Sequence, residues 1–148
     1  MKAILGSDHA GISGRKEALR LLEQRGWEVH EIGPEGDPEK ADYPDIAHQI
    51  AQSVTSNESE MGVLVCGTGQ GMAMTANRYP GARAAVITDS FTAEMSRAHN
   101  DANIACFGER VVGAAAIGQL LARFLDTPFE EGRHMTRVEK IDQVIGEV

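Results

Sequence analysis

The chain has 148 residues, 42% of them apolar and 24% charged, the balance of one ordinary globular domain with a sizeable core rather than of a disordered chain. Twenty-two acidic residues against 14 basic ones leave a net charge of −8, which disfavours a nucleic-acid binder and attraction to an anionic membrane surface. No apolar run is long enough to span a bilayer, the opening MKAILGSDHAG lacks the h-region of a signal peptide, and Cys66 and Cys106 form neither a disulfide framework nor a metal-spaced cluster, so the expectation is a reduced, cytoplasmic protein with no metal.

Short β-rich runs alternate with helical patterns along the chain. Lys2–Ser7 reads as a first strand. Residues 13–25 read as a helix, with Ala18, Leu19 and Leu22 on one face and Gly26 placed to end it. Residues 27–32 (WEVHEI) alternate as a second strand. A turn-rich acidic loop follows, and Asp42-Tyr43-Pro44 opens a helix to about Ser56. Met61–Cys66 (MGVLVC) is continuously apolar, the signature of a strand buried on both faces. The loop Gly67-Thr68-Gly69-Gln70-Gly71 comes next, then a helix over 72–77. A fourth strand is expected over 84–88, a helix over 90–99, a fifth strand over 104–108, a helix over 111–125 and a last helix over 133–145.

Strands alternating with helices predict a three-layer α/β/α, Rossmann-like fold in one domain spanning 1–148, with five parallel strands and right-handed crossovers. Ligands of such sheets sit beyond the carboxyl ends of the strands, where strand order reverses. Polar groups stand near those positions: Asp8-His9 after the first strand, Cys66 and its glycine loop after the third, and His99-Asn100 shortly before the fifth. Adjacent first and third strands would bring the first two groups to one crevice. The order of the fourth and fifth strands stays open.

Three alternate glycines between a buried strand and a helix permit positive φ and close approach of backbone amides to an anion. The loop is not a P-loop, since no Gly-Lys-Ser/Thr follows, and it fails the dinucleotide spacing, so a nucleotide cofactor is not expected. The plainer alternative is a turn that only allows tight packing. Cys66, at a strand end against a helix N-terminus, occupies a setting that favours a thiolate nucleophile or base. Cys106, inside the apolar run IACF, reads as a structural cysteine. His99 closes a helix, where a protonated imidazole is favoured. Arg133 and Arg137, four apart, suit an anionic head group on one helix face, or else pair with Glu130, Glu131 or Glu139.

The blocks Asp8-His9-Ala10-Gly11, Asp42-Tyr43-Pro44, Cys66-Gly67-Thr68-Gly69-Gln70-Gly71-Met72, Arg97-Ala98-His99-Asn100-Asp101, Phe107-Gly108-Glu109-Arg110 and Gly132-Arg133-His134 together resemble the B-type ribose 5-phosphate isomerase family, which includes galactose 6-phosphate isomerase subunits. The resemblance runs from residue 3 to about 141. It implies cofactor-independent interconversion of an aldose phosphate and a ketose phosphate through an enediolate, for ribose 5-phosphate or else for allose or galactose 6-phosphate. A silent sugar-phosphate binder is the alternative of another class. By resemblance Cys66 is the base at C2, and His99, assisted by Thr68, opens the sugar ring. The backbone of Gly67, Gly69, Gln70 and Gly71, with Asn100, steadies the enediolate. Asp8 and His9 hold hydroxyls or phosphate, Tyr43 lines the pocket, and Arg110, Arg133 and Arg137 clamp the phosphate with help from His134. Relatives that lack this cysteine use a glutamate where Met72 stands, so this chain follows the thiol version. The resemblance also implies a homodimer or dimer of dimers with shared sites, the last helix at the subunit interface, and His99, Asn100 or Arg110 reaching a neighbour's cysteine.

Overall fold

In the computed structural model, residues 1–36 and 40–143 are described. Five strands form one parallel sheet: β1 (Lys2–Ser7), β2 (Glu28–Ile32), β3 (Met61–Cys66), β4 (Ala84–Val86) and β5 (Ile104–Gly108). Their order is β2-β1-β3-β5-β4, so β1 and β3 are neighbours as the sequence predicts, and the open question of the last two strands is settled by β5 lying inside β4. In register, Ser7 stands beside Val65 and Cys66 beside Gly108. The carboxyl ends of β1, β3 and β5 thus meet at one edge, on both sides of the point where strand order reverses.

Two apolar clusters fill the space above and below the sheet. On one face Leu5, Val63, Val65 and Phe107 pack against Ala18 and Leu22 of α1 (Ile12–Gln24), Ala93 of α4 (Ser90–Ala98) and Ile117, Leu121 and Phe124 of α6 (Ala114–Asp126). On the other, Ile4, Leu64, Cys66 and Cys106 pack against Ile46 and Ile50 of α2 (Tyr43–Thr55) and Met72 and Ala76 of α3 (Gln70–Ala76). Every residue of β3 and β5 is buried, as strands covered on both faces must be. This division of the helices is the one right-handed crossovers produce for this strand order.

Local chemistry explains the element ends. Gly26, at φ +75°, takes the left-handed conformation that stops α1. Pro44 sits in the first turn of α2, where a missing N–H costs nothing. Asp89 accepts from the Thr92 N–H at 2.7 Å while the Thr92 hydroxyl accepts from the Asp89 N–H at 3.2 Å, a capping box that starts α4 and lowers the Asp89 carboxyl below the usual carboxylate range.

Four expectations need correction. The helix predicted over 111–125 is two: α5 (Glu109–Val112) ends at Gly113, whose φ of +78° and ψ of 148° no helix accommodates, and α6 begins beyond it. The last helix is likewise broken. A 3₁₀ turn over Gly132–His134 precedes α7 (Met135–Asp142), so Arg133 and Arg137 do not share one continuous α-helix; positions 144 and 145 lie outside the described residues. The fourth strand ends at Val86 rather than at position 88, and α3 starts two residues before position 72.

Candidate active site

At the carboxyl edge a cavity of about 330 Å³ is lined by Asp8, His9, Ala10, Tyr43, Cys66, Gly67, Thr68, Gly71 and Arg110. Cys66 ends β3 with its side chain 5% exposed, and its Sγ accepts the Gly69 N–H at 3.1 Å. Gly69 can present that amide because its φ is +78°, a conformation that glycine adopts without a steric cost. An amide dipole aimed at sulfur stabilises negative charge there. Asp8, 7% exposed, uses its carboxylate to accept the Ala10 N–H at 2.9 Å, which shapes the turn that carries His9. The Arg110 side chain lies over Gly67, and its backbone N–H donates to the Gly67 carbonyl at 3.1 Å. Glu109 accepts the Gly14 N–H at 2.8 Å and so ties the start of α5 to the N-terminus of α1. The other thiol, Cys106, is fully buried, and burial pushes it far up, where it stays protonated and inert.

A second cluster forms elsewhere. The His99 and His134 rings stack with centroids 4.2 Å apart and planes 10° apart. Both Nε2 atoms face Oε2 of Glu130, at 3.7 and 3.6 Å. Arg133 Nε approaches His134 Nε2 at 3.5 Å. Burial, with His99 and Arg133 beside it, holds His134 below the ordinary histidine value, while Glu130 opposes that shift. Among the described residues no carboxylate pairs with Arg133 or Arg137, so the salt-bridged alternative for these arginines is not realised there.

The two clusters lie at opposite edges of the sheet. Helix α4 carries the chain back from the carboxyl end of β4 to the amino end of β5, so His99, at its C-terminus, sits at the amino edge. Cys66 ends the six-residue β3 at the carboxyl edge, roughly 20 Å away at about 3.3 Å per residue. Within a single chain, His99-Asn100 therefore does not share the carboxyl-end crevice that Asp8-His9 and Cys66 form. The direction of the β4–α4–β5 crossover forbids it.

Comparison with known proteins decides what this arrangement belongs to. The profile of the ribose/galactose isomerase family matches residues 3–141. Ribose-5-phosphate isomerase B of Escherichia coli is 39% identical over 143 residues, covering 97% of this chain and 95% of that one. The chain belongs to the ribose/galactose isomerase family. A putative sugar phosphate isomerase of Bacillus subtilis is 40% identical over 141 residues, 95% of each chain. Among solved structures, ribose-5-phosphate isomerase B of Clostridium thermocellum superposes with a TM-score of 0.91 at 46% identity, over 96% of this chain and 95% of that one. The enzyme from Mycoplasma genitalium with bound ribulose-5-phosphate does so with a TM-score of 0.90 at 34% identity, over 95% and 93%.

For this ribose/galactose isomerase the cavity gathers eight residues of the expected site: Asp8, His9, Tyr43, Cys66, Gly67, Thr68, Gly71 and Arg110. Gly69 stands behind it as the donor to sulfur, and Gln70 is exposed outside it. His99, Arg133 and His134 form the second cluster, with the exposed Arg137 close enough to act on His134. Asn100 joins neither. It lines a larger cavity of about 700 Å³ at the amino end of β4, with Arg83, Asp142 and Tyr79; that cavity holds neither a thiol nor an imidazole. Sequence reasoning missed Glu109 and gave Glu130 no role beyond a possible arginine partner; the one signal for Glu130 is its place four residues before His134. His99, Glu130 and His134 bring three donor atoms within 4.8 Å of one another. Stacked rings send their lone pairs along parallel planes instead of to one point, and Arg133 sits against His134, an arrangement poorly suited to a divalent cation.

Proposed function

We propose that this isomerase interconverts D-ribose 5-phosphate and D-ribulose 5-phosphate through an enediolate, without a cofactor, in a site that a second copy of the chain completes. The observation that carries the reading is the Cys66 sulfur, held by the Gly69 amide at the wall of a cavity that also contains Arg110, His9 and Asp8. The Mycoplasma genitalium relative, solved with ribulose-5-phosphate bound, supports the substrate class. His99 of the second copy gives a proton to the ring oxygen, with Thr68 assisting, and the C1–O bond opens as the anomeric hydroxyl releases its proton and becomes the aldehyde carbonyl. The Cys66 thiolate then takes the C2 hydrogen as a proton, and the electron pair left behind forms the C1–C2 enediolate. Backbone amides of the 67–71 loop and Asn100 of the second copy meet the charge that grows on oxygen, a kind of contact worth about 2.7–4 kcal/mol. Transfer of the O2 hydrogen to O1 and return of the proton from the Cys66 thiol to C1 give the ketose and regenerate the thiolate. Arg110, with Arg133 and Arg137 of the second copy, holds the phosphate and so orients the reacting carbons. His134 supports that clamp, and Tyr43 closes the pocket.

This placement supplies the reason for a dimer. One chain carries the base at one edge and, at the other, the acid with two arginines that meet no carboxylate among the described residues; a second chain would bring the edges together. In this reading α7 and the turn before it lie at the subunit interface. The test compares turnover of ribose 5-phosphate, allose 6-phosphate and galactose 6-phosphate side by side. Faster turnover of ribose 5-phosphate is expected; preference for a hexose phosphate overturns the substrate. Binding without exchange of the C2 hydrogen in heavy water would make the protein a binder. Cys66→Ala should bind substrate and lose turnover by about 10²-fold or more.

A further inference from the structure

Glu130 has no part in the chemistry above, yet its backbone and its side chain both converge on His99. The Glu130 N–H donates to the carbonyl of Ala98 at 3.0 Å, which ties the segment after α6 to the residue just before His99. Its Oε2 lies 3.7 Å from His99 Nε2. Glu131, next in sequence, has φ +57° and ψ −136°, and Gly132 has φ +52°. A non-glycine residue takes that backbone only where the surroundings over-determine it. Here the strained turn brings Glu130 to Nε2 of His99 and His134 to the face of its ring.

The two imidazoles are not equivalent. His134 is 4% exposed, and its Nε2 lies 3.5 Å from Arg133 Nε and 3.6 Å from Glu130 Oε2. His134 thus has Arg133 beside it as well, whereas among the described residues Glu130 is the one charged group that His99 meets. The His99 side chain is 36% exposed and its Nε2 is free to carry hydrogen. At 3.7 Å the contact holds by charge rather than as a formed hydrogen bond, and contacts of this kind tighten when substrate binds. Stacked His134 fixes the plane of the ring, and Glu130 fixes its direction within that plane.

Building on the ring-opening role given to His99 above, we propose that Glu130 is the positioning residue for His99: it holds the Nε2–H and turns the opposite ring nitrogen, Nδ1, toward the sugar of the neighbouring site. In that arrangement the imidazolium passes its Nδ1 proton to the ring oxygen. The C1–O bond breaks, the anomeric hydroxyl releases its proton to solvent, and neutral His99 remains held by Glu130. His134 is the second positioning residue, acting through the face of the ring.

The step that opens the ring separates from the step at carbon. Ribulose 5-phosphate is open-chain, so exchange of its C1 hydrogen with heavy water needs Cys66 and the enediolate but no ring opening. Wild type, Glu130→Gln and His99→Ala are compared in two assays: turnover from ribose 5-phosphate, and C1 hydrogen exchange on ribulose 5-phosphate followed by NMR. Glu130→Gln is expected to lower kcat about tenfold with KM within about twofold, and to leave exchange at the wild-type rate; His99→Ala should lower kcat further with the same spared exchange. Glu130→Asp, which keeps the charge, should recover part of the loss. Unchanged kcat in Glu130→Gln alongside a slow His99→Ala overturns the positioning role alone. Loss of both assays together, in a variant with unaltered thermal unfolding, also overturns it. Normal turnover in His99→Ala overturns the acid assignment and the inference with it, and a wild type that does not turn over ribose 5-phosphate overturns the reading beneath both.

Discussion

At Glu131 a side chain occupies a backbone conformation that suits glycine, with φ +57°. Glu131→Gly should therefore stabilise the protein by about 1 kcal/mol, read as a later urea midpoint; an earlier midpoint would show that the Glu131 side chain makes contacts worth more than the strain. Gly71 carries the opposite constraint. A methyl group there would stand 2.5 Å from Cε2 and 2.6 Å from Cζ of Tyr43, so Gly71→Ala must push the ring that lines the cavity. The expected result is a several-fold rise in KM for the sugar phosphate with little loss of stability; an unchanged KM would remove Tyr43 from the pocket wall. His134 sets a pH dependence. Its folded form resists protonation, so the unfolded chain takes up a proton near pH 6.5 that the native state refuses until lower pH. This site's contribution is thus undiminished above about pH 6.5 and drains as pH falls below it. Urea midpoints at about pH 7 and pH 5 should differ less in His134→Gln than in wild type; equal differences would refute this origin.

Among the elements, α4 shows how a local device reaches the chemistry. Its capping box at Asp89 and Thr92 fixes where the helix begins, and nine residues later the helix delivers His99. Asp89→Ala should cost about 1 kcal/mol by urea denaturation, and a negligible change would mean that packing against α6 alone holds the helix. Capping residues, apolar runs and helix-stopping glycines act within a few positions, and for that reason most elements were legible in the sequence. The unbroken apolar stretch 61–66 and the Pro44 start are examples. Gly113 was misread because the residues around it, Val111 to Ala116, suit a helix on composition. Its φ of +78° comes from the need to turn the chain after β5, a tertiary demand with no local pattern beyond the glycine itself. Glu131 left even less signal, since nothing in a glutamate announces a left-handed backbone.

For the whole molecule, the adjacency of β1 and β3 followed from the alternation of elements, and with it the meeting of Asp8, His9 and Cys66. The exchange of β4 and β5 did not, because both orders obey the same crossover rule. The placement of His99 was recoverable: a helix that follows a strand returns the chain to the other edge, so residues just before β5 cannot face the residues just after β3. Two chains that share sites should complement each other. Cys66→Ala and His99→Ala, each slow alone, should regain about a quarter of wild-type activity when refolded together, since mixed dimers hold one intact site of two. No recovery, with mixed dimers present, would confine the site to one chain. The two thiols offer a last consequence. Cys66 borders an open cavity and Cys106 is sealed in the core. A thiol-specific dye should therefore label one position per native chain and two after denaturation. The rate at which the second label appears reports how often the sheet comes apart, with no probe added to the protein.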